Sequence, residues 1–240
     1  MSSQCELADG SLPPVLIKRS MHPRHLSNAF LVADKRGGTA VFVDSGAPLA
    51  PLLTFIGQHA LHPVAVLRTH SHPDHVLHEE ELDLPVIVTS FEIDGLQIEA
   101  IPTPGHSDDM VCFVVRDEIG EEYVFSGDTL FKGSIGGGNF EQIRSAVMDV
   151  YMEMPKTRLL MPGHSDLSTI AGEWAKNPFV RVWRGEDPEG TERVKVGGRE
   201  ATLIVWSDDY DGNGKAWVRF DDGTDEIVGG SGVERETAAA

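Results

Sequence analysis

Three histidines and an aspartate lie within six consecutive residues, in segment 69–75 with the sequence THSHPDH. Imidazole and carboxylate are the ligands that zinc, iron and manganese accept in proteins. The segment follows residues 64–67 (VAVL), a short apolar run typical of a buried strand. The residue types and their spacing therefore predict a metal-binding loop at the end of a strand.

The spacing within this loop favours two metal ions over one. Residues two apart at a strand end point to the same side, so the side chains of His70 and His72 can face one point. A turn at Pro73 then directs Asp74 and His75 to a neighbouring point. We therefore expect two adjacent cation sites.

Three more candidate ligands follow apolar runs further along the chain. His106 lies in the sequence TPGHS, Asp128 in SGDTLF and His164 in MPGHS. Each is adjacent to a glycine at the exit of an apolar run, where loops carry functional residues on a rigid scaffold. Together with the metal-binding loop, they supply enough ligands for two ions.

Short β-like runs separated by turn-forming residues must position these ligands. Strands are predicted at residues 15–17, 29–32, 40–43, 64–67, 86–88, 96–101, 111–115 and 123–125. A helix is predicted over residues 48–60, where apolar residues recur at helical spacing. A shorter helix is predicted over residues 76–82.

The composition restricts the partners of the chain. Its 240 residues carry a formal net charge of −18, and a surface this acidic repels phosphate backbones and anionic lipids. We therefore expect a small-molecule substrate, with neither nucleic acid nor a membrane as partner. The chain has no apolar run near the roughly 20 residues that span a bilayer and no signal-like N-terminus, so a cytoplasmic location is expected. Cys5 and Cys112 give no disulfide framework.

Four motifs occur in order: HxHxDH at residues 70–75, GHS at 105–107, SGDTLF at 126–131 and PGH at 162–164. The segments NAF at 28–30 and VDSG at 43–46 precede them. This ordered set resembles the metallo-β-lactamase superfamily and, within it, the glyoxalase II-like (hydroxyacylglutathione hydrolase-like) hydrolases, over roughly residues 15–180. The resemblance implies an α/β (α+β) fold, a four-layer αββα sandwich with the metals at one edge between its sheets.

The resemblance also implies a role for each candidate ligand. The first ion would be bound by His70, His72 and His106, the second by Asp74, His75 and His164, and both by Asp128. Asp74 and Asp128 are the expected catalytic residues. The five remaining histidines match no ligand of the family and are expected at surface or structural positions: His22, His25, His59, His62 and His78.

Two divalent cations, expected to be Zn²⁺ with Fe or Mn as alternatives, would lower the pKa of a shared water from about 15.7 towards ~7. A hydroxide bridging them would attack a carbonyl carbon, so we expect a metal-dependent hydrolase of a thioester or related ester. Asp44 either orients a ligating imidazole or caps a turn.

Three other functions stay open. One is a lactonase. Another is a persulfide dioxygenase-like enzyme, in which His70, His106 and Asp128 hold a single iron. The third is a metal-binding interaction protein without catalysis, although a carboxylate-rich site favours catalysis because structural zinc sites are closed and usually built from Cys and His.

The last quarter of the chain departs from glyoxalase II, in which a helical C-terminal domain contacts glutathione. Here strands are predicted at residues 194–196, 201–206 and 215–220, in a small SH3-like or Tudor-like unit. We therefore expect a catalytic domain over residues 1–184 and a β domain over 185–240. The β domain has no His or Cys and should donate no metal ligand. Trp206 and Trp217 are expected in its core rather than on a binding surface.

Overall fold

The computed structural model describes residues 15–117 and 119–235, so Cys5 lies outside the described residues. It divides into two compact units. The first comprises the described residues up to Ala100 together with Phe113–Tyr123, and the second Ile101–Cys112 together with the described residues from Val124 onward. The second unit includes residues on both sides of the domain boundary expected at 184/185, and that boundary stays a prediction.

A five-stranded sheet forms the centre of the first unit. Its strands, in sheet order, are β1 (Leu16–Met21), β2 (Asn28–Ala33), β3 (Thr39–Val43), β4 (His62–Leu67) and β5 (Val86–Ile87). The pairs β1–β2 and β2–β3 are antiparallel, whereas β3–β4 and β4–β5 are parallel. Strand β2 is buried throughout and β3 almost throughout, as expected for near-continuous apolar runs.

Helix α1 (Ala50–His59) provides the crossover that the parallel pair β3–β4 requires. Leu52 of this helix is fully buried in a core with Leu31, Phe42 and Val66. The helix ends at His59, because the next residue, Ala60, has a φ of 52° that stops further helical turns. Because β3 and β4 run in the same direction, the residues that follow both strands emerge at the same edge of the sheet.

The segment after β4 forms two short helices, α2 (Pro73–Val76) and α3 (Glu79–Leu82), rather than the single helix predicted over 76–82. Proline suits the first helical turn because its missing N–H would have no partner there. The helices are separate because His78 has a non-helical backbone, with φ −114° and ψ 14°. The turn expected at Pro73 is therefore a helix start.

Two further sheets follow, one of six strands and one of two. Their strands are β6 (Phe91–Ile93), β7 (Leu96–Pro102), β8 (Val111–Arg116), β9 (Glu122–Gly127), β10 (Leu130–Phe131), β11 (Ser134–Ile135), β12 (Leu159–Pro162) and β13 (Ser168–Thr169). The six-stranded sheet has the order β13-β12-β9-β8-β7-β6, and β10 and β11 form a hairpin. Cys112 is buried in β8.

The second unit contains three short helices that the sequence analysis missed. They are α4 (Phe140–Ser145), which continues into a π-helical turn (Ala146–Val150) and a 3-10 turn (Tyr151–Glu153), α5 (Ile170–Lys176) and α6 (Pro178–Trp183). A side-chain oxygen caps each start, from Asn139, Thr169 and Asn177 respectively. No helix in the described part of the chain is long and apolar enough to cross a membrane.

The C-terminal segment forms a five-stranded antiparallel sheet, here called the C-terminal sheet. Its strands are β14 (Glu192–Val196), β15 (Arg199–Ser207), β16 (Lys215–Phe220), β17 (Asp225–Gly229) and β18 (Val233–Arg235). Trp217 is buried at 4% exposure, as expected. The expectation for Trp206 was wrong. It is 36% exposed, and the guanidinium of Arg235 lies 4.4 Å from its ring.

The buried carboxylate of Glu173 connects α5 to the β10–β11 hairpin through hydrogen bonds. Glu173 is 3% exposed, and its carboxylate accepts hydrogen bonds from Gly133 N at 2.8 Å, Asn177 Nδ2 at 3.0 Å and the hydroxyl of Ser168. Asn177 Nδ2 also donates to the carbonyl of Ser134 at 3.0 Å. The hairpin that follows Asp128 is therefore held by a hydrogen-bonded network.

We expect Glu173→Ala to lower the free energy of unfolding by about 3 kcal/mol, because it leaves several buried donors without an acceptor. Urea unfolding of the metal-depleted protein measures this change. The control is Glu234→Ala at an exposed position, which should stay within about 0.5 kcal/mol of wild type. Equal stability of the two variants would contradict the role given to Glu173.

Candidate metal centre

Asp44 connects the ends of strands β3 and β4. Its backbone N–H donates to Leu67 O at 2.9 Å, and its φ is 55°. The carboxylate is buried and accepts three hydrogen bonds, from Thr69 N at 2.8 Å, from the Thr69 hydroxyl at 2.8 Å and from His75 Nδ1 at 2.9 Å. Asp44 thus contacts an imidazole of the candidate metal loop, as the first of its two possible roles requires, and it also accepts a backbone N–H, as the second requires.

These contacts determine which nitrogen of each imidazole carries a lone pair. A carboxylate only accepts, so His75 donates through Nδ1–H and its Nε2 is the lone-pair nitrogen. Thr69 gives its hydroxyl proton to Asp44, so its oxygen accepts from Nδ1 of His70 at 3.1 Å. His70 therefore also presents a lone pair at Nε2, as metal binding requires.

A glycine allows the metal loop to approach the end of β3. A Cβ on Gly46 would lie 1.5 Å from the carbonyl oxygen of Asp74, so no larger residue fits there without movement of the backbone. Ser45 N donates to His75 O at 2.7 Å beside this contact. The VDSG segment therefore fixes the metal loop by its backbone as well as through Asp44.

In the second unit, the other two remaining candidates, His106 and His164, lie beside Asp128. Nδ1 of His106 donates to the carbonyl of Gly137 at 2.9 Å, which leaves the lone pair on its Nε2. A single oxygen of Asp128, Oδ2, lies 3.6 Å from Nε2 of His106 and 3.2 Å from Nε2 of His164. One carboxylate oxygen thus faces two imidazole nitrogens, as a ligand shared by two cations would.

The loops that carry Asp128 and His164 are joined through their backbones, because Gly163 N donates to Gly127 O at 2.9 Å. Tyr151 supports Ser126, the residue before Gly127, since the Tyr151 hydroxyl donates to Ser126 O at 3.2 Å. Burial raises the pKa of Tyr151 well above its usual value, so the hydroxyl remains protonated and can donate.

The spacing of the ligand atoms tests whether these residues fit a metal. Tetrahedral zinc ligands at ~2.0–2.1 Å from the ion lie about 3.3 Å from one another. In the first unit, Nε2 of His70 lies 3.1 Å from Nδ1 of His72, and Nε2 of His75 lies 3.8 Å from Oδ2 of Asp74. The two pairs around Asp128, at 3.2 and 3.6 Å, fall in the same range. The donor atoms in each unit therefore fit ligands that share a cation.

The five histidines not assigned as ligands occupy other positions. Nδ1 of His22 accepts the backbone N–H groups of Arg24 and His25 at 3.2 and 3.1 Å. Partial burial lowers the pKa of His22, and the positive charges of His25 and Arg24 act in the same direction. His78 lies 2.9 Å from a carboxylate oxygen of Glu81. His25 and His62 are exposed and His59 is half-buried.

Sequence reasoning missed two residues that contact the candidate ligands. One is Thr69, whose hydroxyl connects Asp44 to His70; its place directly before the HxH motif is a usable signal. The other is Tyr210, whose ring stacks on the imidazole of His164, with centroids 4.2 Å apart and planes 10° from parallel. No local signal identifies Tyr210, because it is far along the chain and outside the four motifs.

No protein-family model matches the chain. It is 28% identical to the probable metallo-hydrolase YqgX of Bacillus subtilis (strain 168) over 196 residues, which cover 63% of this chain and 90% of the relative. It is also 28% identical to the hydroxyacylglutathione hydrolase of Klebsiella pneumoniae subsp. pneumoniae over 166 residues, which cover 59% of this chain and 63% of that enzyme.

Several solved structures share the fold. The B3 metallo-β-lactamase BLEG-1 is 24% identical with a TM-score of 0.60, covering 69% of this chain and 99% of that one. ETHE1 from Myxococcus xanthus is 23% identical with a TM-score of 0.58, covering 69% and 84%. TTHA1623, solved in a di-iron-bound form, is 28% identical with a TM-score of 0.54, covering 67% and 98%.

These likenesses agree with the mixed α/β structure and its several sheets, and they confirm the fold class predicted from the motifs. The chain has the metallo-β-lactamase fold, and it is similar in sequence to proteins named as probable metallo-hydrolases.

Proposed function

We propose that the seven candidate ligands, four from the first unit and three from the second, hold two divalent cations in one dinuclear centre. We further propose that the protein is a hydrolase of thioesters or related esters. The observation that carries this proposal is the position of Asp128, whose Oδ2 lies at ligand-sharing distances from both His106 and His164. A carboxylate in that position is suited to bridge two ions.

The proposed assignment follows the order of the motifs. Three residues hold each ion and one bridges them: His70, His72 and His106 for the first, Asp74, His75 and His164 for the second, and Asp128 for both. Zn²⁺ suits this set of imidazole and carboxylate ligands, and Fe and Mn accept the same ligands. The di-iron form of TTHA1623 supports a dinuclear site but leaves the choice of metal open.

Two cations, when bound, lower the pKa of a shared water towards ~7 and stabilise the negative charge that develops on a carbonyl oxygen. The protein's part is to hold the imidazoles with their lone pairs directed at the ions. Asp44 does so for His75 directly and for His70 through Thr69, and the carbonyl of Gly137 does so for His106.

Exposure indicates where a substrate can reach each set of ligands. In the first unit, the side chain of Asp74 is 28% exposed, whereas His75 is fully buried. In the second unit, the side chain of His106 is 19% exposed, against 3% for His164 and 6% for Asp128. His72 is also partly exposed, so His72, Asp74 and His106 are the ligands that a substrate would meet first, and Asp74 is a carboxylate suited to accept a proton there.

The thioester preference is supported by the likeness to the hydroxyacylglutathione hydrolase of Klebsiella pneumoniae. The last quarter of this chain forms the C-terminal sheet, whereas the corresponding part of glyoxalase II is expected to form a helical glutathione-binding domain. We therefore do not restrict the thiol carrier to glutathione. The net charge of −18 supports a small molecule over nucleic acid as the substrate. The cytoplasmic location stays a prediction.

We expect the zinc-loaded protein to cleave an aryl thioester at the same rate with and without oxygen. Asp128→Asn should reduce kcat/KM by more than about 100-fold, because an amide is a poor bridging ligand. The matched control is Asp108→Asn, an exposed aspartate in the loop of His106, which should keep wild-type activity.

Two results would contradict this assignment. One is oxygen uptake with glutathione persulfide in the absence of thioester cleavage, which would favour the mononuclear iron enzyme with His70, His106 and Asp128 as ligands. The other is full activity of Asp128→Asn, which would exclude a bridging role for that carboxylate.

We expect Asp44→Asn to lower the zinc affinity about 10- to 100-fold, because it removes the anion that orients His75 and the Thr69 hydroxyl. Asparagine is tolerated at positive φ, so the backbone of the turn can stay as it is. Competition with a chromophoric chelator measures the affinity. The control is Asp83→Asn, an exposed aspartate with a φ of 50°. Unchanged affinity in Asp44→Asn would show that this carboxylate only closes a turn.

A further inference from the structure

The loop of residues 208–214, between β15 and β16, places an aromatic ring on a candidate metal ligand. The ring of Tyr210 lies parallel to the imidazole of His164, with centroids 4.2 Å apart. Phe131 lies edge-on to both rings, 5.8 Å from His164 and 5.4 Å from Tyr210. Tyr210 therefore covers one face of the His164 imidazole, and Phe131 lies at another side of it.

The loop is ordered by its own hydrogen bonds. The carboxylate of Asp209 accepts from Tyr210 N at 3.0 Å, and its carbonyl accepts from Gly212 N at 3.0 Å. Asp211 accepts from the backbone and side-chain nitrogens of Asn213 at 2.8 and 2.9 Å. Gly214 has a φ of 80°, a conformation that glycine adopts without strain. These hydrogen bonds support the backbone that carries Tyr210.

A largely buried ion pair links Asp209, near the start of this loop, to Lys215, directly after its end. Nζ of Lys215 lies 3.0 Å from a carboxylate oxygen of Asp209, and the two side chains are only 13% and 3% exposed. Breaking such a pair leaves an uncompensated buried charge, so the pair resists opening. Gly230 N also donates to Gly214 O at 2.7 Å, which attaches the end of the loop to the neighbouring segment.

The C-terminal sheet is attached close to Asp128. The hydroxyl of Ser207, at the end of β15, lies 3.2 Å from that of Ser134 in the hairpin that follows Asp128. Ile227 of β17 forms a β-bridge with Gly138, next to the glycine whose carbonyl accepts from His106. These contacts hold the sheet, and with it Tyr210, in a fixed position relative to Asp128 and His106.

We infer that Tyr210 is a positioning residue, which holds the imidazole plane of His164 so that its Nε2 faces Oδ2 of Asp128 at 3.2 Å. The inference rests on the proposed dinuclear centre and deepens it. Rotation of the imidazole would move its edge into Tyr210 or Phe131. The C-terminal sheet, which contains no His or Cys, thereby controls one side of the candidate metal site.

The test uses the full chain with Tyr210→Ala, Tyr210→Phe and the control Asp208→Ala, an exposed position in the same loop. Zinc binding to the metal-depleted proteins is measured by competition with a chromophoric chelator, and the absorption bands of the cobalt-loaded proteins report the ligand geometry. We expect Tyr210→Ala to weaken binding of one of the two ions by about two- to tenfold, the size of an aromatic stacking contribution. Its cobalt bands should shift.

Tyr210→Phe keeps the stacked ring and should match wild type in both measurements, as should Asp208→Ala. If Tyr210→Ala does not fold, Tyr210→Leu replaces it, because leucine keeps bulk but has no planar face. A purely structural role for Tyr210 would lower the thermal unfolding temperature of the metal-depleted protein while zinc affinity and cobalt bands stayed unchanged, and that result would overturn the inference.

The same titration separates failure of this inference from failure of the proposed function. Wild-type protein that binds two ions and cleaves a thioester, with Tyr210→Ala binding zinc equally well, would overturn the inference alone. Wild type that binds two ions but cleaves no thioester would overturn the hydrolase, and the zinc affinities would still decide the role of Tyr210. Wild type that binds fewer than two ions would overturn both.

Discussion

The candidate metal loop depends on one buried anion, the carboxylate of Asp44. Parallel pairing of β3 with β4 brings this residue beside Thr69, where it accepts three hydrogen bonds. A buried carboxylate without such partners would be strongly destabilising, so these contacts are required for folding as well as for orienting imidazoles. Folding of the sheet therefore fixes the lone pairs of His70 and His75 before any metal binds.

A different arrangement serves the ligands of the second unit. His106, Asp128 and His164 each follow a different strand, and backbone contacts between their loops hold them together. A Cβ on Gly138 would lie 2.1 Å from Gly105 O, so only glycine allows the loop before α4 to approach the residue preceding His106. Here backbone packing performs the positioning that a buried carboxylate performs in the first unit.

Much of this could be predicted from the sequence, for physical reasons. Buried strands such as β2 and β8 are continuous apolar runs, and the ligands stand out because several ionisable residues directly follow such runs. Helices α5 and α6 were missed because they are only seven and six residues long, too short to show helical periodicity. Helix α4 and its continuation to Glu153 do carry apolar residues at helical spacing, at Phe140, Ile143, Val147 and Tyr151, so that signal was available and was overlooked. Trp206 and Tyr210 were beyond local reasoning, since the exposure of Trp206 and the stacking of Tyr210 on His164 depend on residues distant in sequence.

The most direct test of the account concerns the bridge at Asp128. Loading the metal-depleted protein with Mn²⁺ and recording its electron paramagnetic resonance spectrum reports both the number of ions and whether they share a ligand. The account predicts two Mn²⁺ per chain with an exchange-coupled spectrum, which Asp128→Ala converts to that of isolated ions. A single Mn²⁺ per chain with an uncoupled six-line spectrum in the wild type would contradict it.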